Sequence, residues 1–330
     1  MTVKKFWLDV LQEGAPRFAA GIDVGSQNVR LVIVSHRALP EPLLKIEYVR
    51  TVPLAPGAMA GNEIVDRVAV TRALREAFDG LPRACTAQTL CCAMAVPSSA
   101  MMFAAVPLAL LTAKSGCADD GGFELSDIEP AVMTEIEGMT GLERHALAVD
   151  WFIADGLAPV RSVIIAATAR PHLEARMECA AAAGISLTAV DGEPQAALRA
   201  LRYAARCELD SNEPFIAVWI GTDGVYGWRI CEEELEHDMR YPAPEHSDLA
   251  DALRDLADGC AARCAFVGGE IDLLEGVGFS IADIADVLGC PVRPLDIGAL
   301  DNVARPLTDA LLHEPDSAVA FGLALRGVCE

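Results

Sequence analysis

A chain of 330 residues can bury a large core without disulfides or structural metals, which removes the small-scaffold classes. Its hydrophobic share of 52% against 22% charged, with 26 Gly and 19 Pro spread along it, excludes a disordered or fibrous chain. Asp and Glu number 48 against 26 Lys and Arg, and the net charge of -22 repels a phosphate backbone, which argues against a nucleic-acid partner.

Residues 1–18 read as an N-terminal extension whose Phe6, Trp7, Leu8, Val10 and Leu11, with two lysines, suit packing on the domain better than a membrane surface. The octet Ile22-Asp23-Val24-Gly25-Ser26-Gln27-Asn28-Val29 then returns 196 positions later as Val218-Trp219-Ile220-Gly221-Thr222-Asp223-Gly224-Val225. Each copy lies between apolar strands, with Arg30 to Val34 following the first and Tyr226 to Ile230 the second, so both read as β-hairpins. Two such hairpins half a chain apart predict two related α/β halves facing each other across a cleft.

Glu63 to Phe78 is predicted helical, with Ile64, Val65, Val68, Leu74 and Phe78 on its apolar face. Ala84 to Ala113 carries no charge over 30 positions, long enough to cross a bilayer. Pro97, Pro107 and the central Ser98-Ser99 argue instead for two buried strands joined by a turn, and no transmembrane segment is expected. Ser126 with Glu129 forms a capping-box pattern ahead of Ile128, Val132 and Ile136. A strand is expected at Ser162 to Thr168, a helix from Pro171 to Gly184, another opened by Pro194, and a strand at Phe215 to Ile220. Glu232 to Glu236 reads as a solvated loop or strand edge, Asp248 to Ala262 as a helix, and Ala318 to Leu325 as the last helix. The 11 cysteines, irregularly spaced and without an export signal, read as reduced cytosolic thiols. Cys260 and Cys264 stand one helical turn apart, but with no second ligand pair they read as buried, and His237 and His246 as solvent-exposed.

Gly-hydroxyl hairpin turns suit phosphate because their backbone N–H groups can point into the bend. The first turn offers Gly25, Ser26, Gln27 and Asn28, the second Gly221 and Thr222, and Gly268-Gly269 after Ala265-Phe266-Val267 could support a nucleoside. Asp23 can serve as a ligand, for magnesium if nucleotide binds, or simply stabilise its turn. Glu193 can orient water, but Glu before Pro at a helix start is more simply a cap.

This trio of turns resembles the actin and sugar-kinase superfamily. The segments Gly21 to Ser26 with Val29-Arg30, Val149-Asp150-Trp151, Val190 to Pro194, Val267 to Gly269 and Ala320 to Arg326 narrow the resemblance to the actin-like type IV pilus assembly family, PilM. It implies an actin-like two-domain α/β fold with an inserted 1C-type subdomain and a shortened subdomain 2B. The expected boundaries are 19–84 for 1A, 85–165 for 1C, 166–205 for the return to 1A, and 206–330 for the second half. The family binds ATP and docks a short cytoplasmic peptide of the membrane protein PilN between 1A and 1C. Here Leu90 to Val96 and the helix Ser126 to Met139 are expected to frame that groove. Asp150-Trp151 reads as a packing feature.

Two departures bear on nucleotide. Trp219 stands where the family places an Asp near the magnesium-bound phosphates, and Gly221 and Gly268 are too close in sequence to enclose a full subdomain 2B. Asp223 adds a negative charge where a phosphate would sit. The expectation is therefore a non-enzymatic cytoplasmic scaffold of type IV pilus biogenesis with weak or lost nucleotide binding, which requires no cofactor, ATP with magnesium being the one cofactor the resemblance would supply. It would lie peripheral to the inner membrane through a PilN-like bitopic protein, with other pilus platform proteins as further partners. One alternative is a small-molecule kinase of the same superfamily, which Trp219 disfavours. The other is an FtsA-like cell-division anchor, which needs a basic amphipathic tail where this chain reads Gly327-Val328-Cys329-Glu330.

Overall fold

The computed structural model describes residues 17–37, 43–86, 90–116, 125–154, 161–242, 248–300 and 310–329. The apolar set at Phe6 to Leu11 and His246 lie outside them. Both glycine turns close hairpins in the expected register. β1 (Arg17–Val24) and β2 (Asn28–Arg37) pair antiparallel, ending with Val24 opposite Val29. With β3 (Leu43–Pro53), the short β4 (Met59–Ala60) and β5 (Glu63–Ile64) lead into α1 (Arg67–Phe78). The helix starts later than its apolar pattern implied because the Asp66 carboxylate accepts from the Val68 and Ala69 amides and fixes the first turn. Val68 consequently points outward, and Val70, Ala73, Leu74 and Ala77 form the buried face. Removing Leu74 from water contributes about 2 kcal/mol.

After the short α2 (Arg83–Thr86), the charge-free stretch forms β6 (Cys91–Val96) and β7 (Met101–Pro107), joined by a turn at Ser98–Ala100. Among the described residues no helix is long and apolar enough to cross a membrane. β6 lies between β1 and β10 (Leu187–Gly192) in a five-stranded sheet ordered β10-β6-β1-β2-β3. The expected boundary at residue 85 is therefore corrected: β6 is an interior strand of the first sheet, and the inserted unit begins only after Pro97. That unit holds α3 (Leu108–Ser115), α4 (Leu125–Thr140), β8 (Leu147–Ile153) and β9 (Ser162–Ala169), in a sheet ordered β7-β9-β8. Its end also moves, because β9 runs past residue 165 to Ala169. α3 and α4 cover one face of this sheet, burying Leu111, Ile128, Val132, Ile136, Val163 and Ile165. Ser126 lies inside α4, which is already helical at Leu125, so it caps nothing. The capping box falls instead at Ser280 and Asp283, at the start of α8 (Ile281–Leu288).

α5 (Arg170–Ala182), β10 and α6 (Glu193–Glu208) return the chain to the first sheet. The second sheet, ordered β13-β12-β11-β14-β15, uses β11 (Phe215–Gly221), β12 (Gly224–Cys231), β13 (Glu234–Pro242), β14 (Cys264–Gly269) and β15 (Val292–Pro294). The acidic run forms the tight β12–β13 turn, where Glu232 and Glu233 both adopt positive φ, 49° and 67°, as a two-residue hairpin demands. α7 (Leu249–Ala257) ends before the expected Ala262, at Asp258-Gly259, where Gly259 takes φ of 72°. Cys264 therefore opens a strand and shares no helix with Cys260. The nine cysteines whose side chains are described are free.

α6 and α9 (Ala318–Cys329) lie between the inner faces of the two sheets. Alanines 196, 197, 200, 204 and 205 keep α6 slim on that side. Two glycines permit the closest contacts: a Cβ on Gly21 would stand 1.9 Å from the Ala320 carbonyl, and one on Gly322 1.8 Å from that of Ala196.

Candidate functional site

The two hairpin turns meet at a cleft lined by Asp23, Gly25, Arg30, Asn62, Glu193, Trp219, Gly221, Thr222, Gly269, Glu270 and Asp316. The fold thus brings together six of the expected nucleotide residues, Asp23, Gly25, Glu193, Gly221, Thr222 and Gly269; Ser26, Gln27, Asn28 and Gly268 do not line its floor. Arg30 occupies the centre. Its Nη1 reaches Asp23 Oδ2 at 3.4 Å, Nη2 reaches Glu270 Oε1 at 3.4 Å, and Nε donates to Asp316 Oδ2 at 2.7 Å. Asp23 is 4% exposed, so it is neither a free ligand nor a simple turn residue, but one arm of this ion network.

Glu193 opens α6, yet its carboxylate accepts from the Ser98 backbone N–H at 3.2 Å instead of capping its own helix. The Ser98 hydroxyl in turn bonds Asp223 of the second turn, and Thr222 donates to Asn62 at 3.4 Å. These bonds tie the second turn to the first half. Burial, and then the charges of Asp23 and Asp223, push the Glu193 carboxyl up to about 8, and burial first of all lifts Asp23 to about 6.

The unfolded chain releases the Glu193 proton near 4.5 while the folded chain keeps it to about 8, so its contribution is full below the unfolded value and lost as pH rises through the folded one. Wild type is expected to lose stability between about pH 5 and 8, by at most about 1.4 kcal/mol per unit from this group. Glu193→Gln should flatten that fall and exceed wild type at the alkaline end. Urea unfolding at both ends of the range checks this, and equal slopes would contradict it.

The residues do not fit a magnesium triphosphate as the cleft stands. Trp219 lies across the second turn, so close that a Cβ on Gly221 would be 2.5 Å from its ring. The ring is 4% exposed and packs at a 41° tilt against Tyr226, with centroids 5.2 Å apart. The space left on the cleft floor is ≈ 20 Å³, room for one water. Gly268 and Gly269 serve packing: a Cβ on Gly269 would meet the Ile220 carbonyl at 2.1 Å. Among the described residues no group of His, Cys, Asp and Glu has the arrangement of a metal site.

A second concavity of about 470 Å³ lies between the first sheet and the inserted unit. One wall is the face of β7-β9-β8 left uncovered by α3 and α4, carrying Met101, Phe103, Phe152, Ile164 and Ala166. The other is β10, the terminal strand of its sheet, whose consecutive residues Leu187 to Asp191 all line the groove. Since neighbouring residues point to opposite faces, lining by every one means that the strand edge itself looks into the groove. Phe152 and Met177 are 61% and 50% exposed there. Asp191 closes one end through Arg199 at 3.0 Å and Arg326 at 3.3 Å. The expected frame of the groove is thus corrected. Leu90 to Val96 cannot offer an edge because β6 is paired on both sides, and α4 packs on the opposite face of the inserted sheet. Asp150 belongs to the groove wall, whereas Trp151 packs against the inserted core.

Two sheets, each begun by a glycine-turn hairpin, with α6 and α9 between them, make this an actin-like α/β protein. A solved PilM-PilN type IV pilus biogenesis complex is similar in fold at 17% identity, covering 94% of this chain and 98% of that chain, with a TM-score of 0.70. A Bacteroides thetaiotaomicron protein with an actin-like ATPase fold matches at 10% identity over 86% and 92% of the two chains, TM-score 0.46. The ethanolamine utilization protein EutJ from Carboxydothermus hydrogenoformans matches at 14% over 94% and 90%, TM-score 0.43. No curated protein matches the sequence. The family profile described as Type IV pilus assembly protein PilM matches residues 21–221, more than half of the chain, and the chain belongs to that family. Its role is in type IV pilus biogenesis.

Proposed function

We propose that this protein is a scaffold that receives the short cytoplasmic peptide of a PilN-like inner-membrane protein in the groove between β10 and the inserted sheet, without needing nucleotide. The observation that carries the reading is the open edge of β10 facing an uncovered apolar sheet face. An extended segment adds a strand to such an edge through backbone hydrogen bonds, and every second side chain enters the apolar wall. The similar fold of the PilM-PilN complex supports a partner of this kind. The protein would then sit on the cytoplasmic side of the membrane through its partner. Turnover of ATP is expected to be negligible, because Trp219 and the Arg30 network take the space and the charge that a magnesium nucleotide would use.

The test is amide hydrogen exchange with and without the peptide. Protection is expected at β10 and across β7, β9 and β8, with none at the two glycine turns. Protection confined to other surfaces would overturn the groove assignment. Adding ATP with magnesium should leave both the exchange pattern and the melting temperature of the free protein unchanged.

A further inference from the structure

Arg30 does something its hairpin alone does not require. Each of its three guanidinium nitrogens meets a different carboxylate, and the three come from distant places: Asp23 on β1, Glu270 just after β14, and Asp316 just before α9. The arginine side chain is 7% exposed, and the Glu270 and Asp316 side chains 29% and 22%. Three carboxylates of like charge around one point repel each other unless a cation stands among them. Arg176, the other buried cation nearby, is engaged by the carbonyls of Ala95, Asn62 and His172. One Oδ1 of Asp23 and one of Asp316 are buried without a partner beside the same water-sized space.

We propose that Arg30 is the resident cation of the cleft, holding the two halves together through Glu270 and Asp316 so that closure needs neither a nucleotide nor a metal ion. This rests on the nucleotide-independent reading given above. It also bears on the groove. Closure aligns the second turn with Ser98, and Ser98 leads through the turn into β7, whose Met101 and Phe103 form the groove wall. A Cβ on Gly192, at the end of β10, would meet Phe103 at 2.9 Å, so the two walls touch where cleft and groove join. An arginine tied to carboxylates of both halves would hold that junction in one geometry.

Thermal unfolding of Arg30→Ala tests this. Removing one member of a buried ion cluster leaves unbalanced charge, and the melting temperature should fall by roughly 5–10 °C. Millimolar magnesium or calcium, entering among the three carboxylates, should return at least half of that loss, while sodium chloride at matched ionic strength does not and wild type stays unmoved. A loss that no divalent cation repairs, or an unchanged melting temperature, would overturn the proposal. If Arg30→Ala does not fold, Glu270→Gln/Asp316→Asn cuts the ties between halves and keeps the Arg30–Asp23 pair. Amide exchange should then quicken at the two glycine turns and at the Ser98–Met101 junction, and stay unchanged in β8 and the two helices of the inserted unit; unaltered exchange at the turns would overturn the proposal. Stabilisation of wild type by ATP with magnesium would refute the nucleotide-independent reading itself, so the two failures are told apart.

Discussion

Phe152→Asp combined with Met177→Glu is expected to weaken binding of the PilN-type peptide by about 100-fold or more while leaving the fold intact. Both side chains line the groove and both are more than a third exposed, so neither is needed for the core. The two charges, one on β8 of the inserted sheet and one on α5, would have to be desolvated under an incoming apolar segment, and losing two anchors in one groove typically removes a few kcal/mol. Val68→Glu is the matched control. It is 69% exposed on α1, away from the groove lining, and should change neither affinity nor stability by more than about 0.5 kcal/mol. Fluorescence anisotropy of a labelled peptide gives the affinities and circular dichroism reports the fold. Equal affinity of the double variant and wild type would remove β10 and the inserted sheet as the docking site.

Gly322→Ala should cause a large loss of stability, by at least about 3 kcal/mol. The added methyl would lie 1.8 Å from the Ala196 carbonyl oxygen, well inside contact distance, and what it meets is the α6 backbone, where no side chain can turn aside. α9 would have to lift from α6, opening the core shared by both sheets. Gly21→Ala meets the same obstacle from the strand side, against the Ala320 carbonyl. Gly138→Ala gives the contrast: Gly138 is exposed inside α4 with nothing near its would-be Cβ, and helix propensity predicts a gain of roughly 0.5–1 kcal/mol. Denaturant midpoints for the three variants check the order. A stability of Gly322→Ala within error of wild type would contradict the packing described for these helices.

The two hairpins were readable because their turn residues recur at fixed offsets within a short window, and local turn chemistry needs nothing from distant parts of the chain. Pro171 and Pro194 near helix starts and Gly184 after a helix end were legible for the same reason. The inserted unit was misplaced because composition does not say which sheet a strand joins. The run Cys92 to Val96 is buried at every position, which suits an interior strand covered on both faces, and that continuity was the available signal against an edge. The resemblance places a groove between the first half and the inserted unit, but its walls could not be read, since they are the edge of β10 and the face of a sheet contributed by another part of the chain. Arg30 appeared only as a motif letter. Its partners Glu270 and Asp316 lie 240 and 286 positions away, and no periodicity links them. Trp219 departs from the family pattern in the sequence itself, but that its ring crosses Gly221 and fills the turn is a matter of packing alone.

Isothermal titration of the PilN-type cytoplasmic peptide into the purified protein, in buffer containing EDTA and no nucleotide, tests the central claim most directly. Saturable one-to-one binding with a Kd in the micromolar range or tighter, a free energy of about -8 kcal/mol, is the expected result, unchanged when ATP and magnesium are added. No binding at peptide concentrations up to about a millimolar, or binding that appears only with magnesium and ATP, would contradict the account of a nucleotide-independent peptide scaffold.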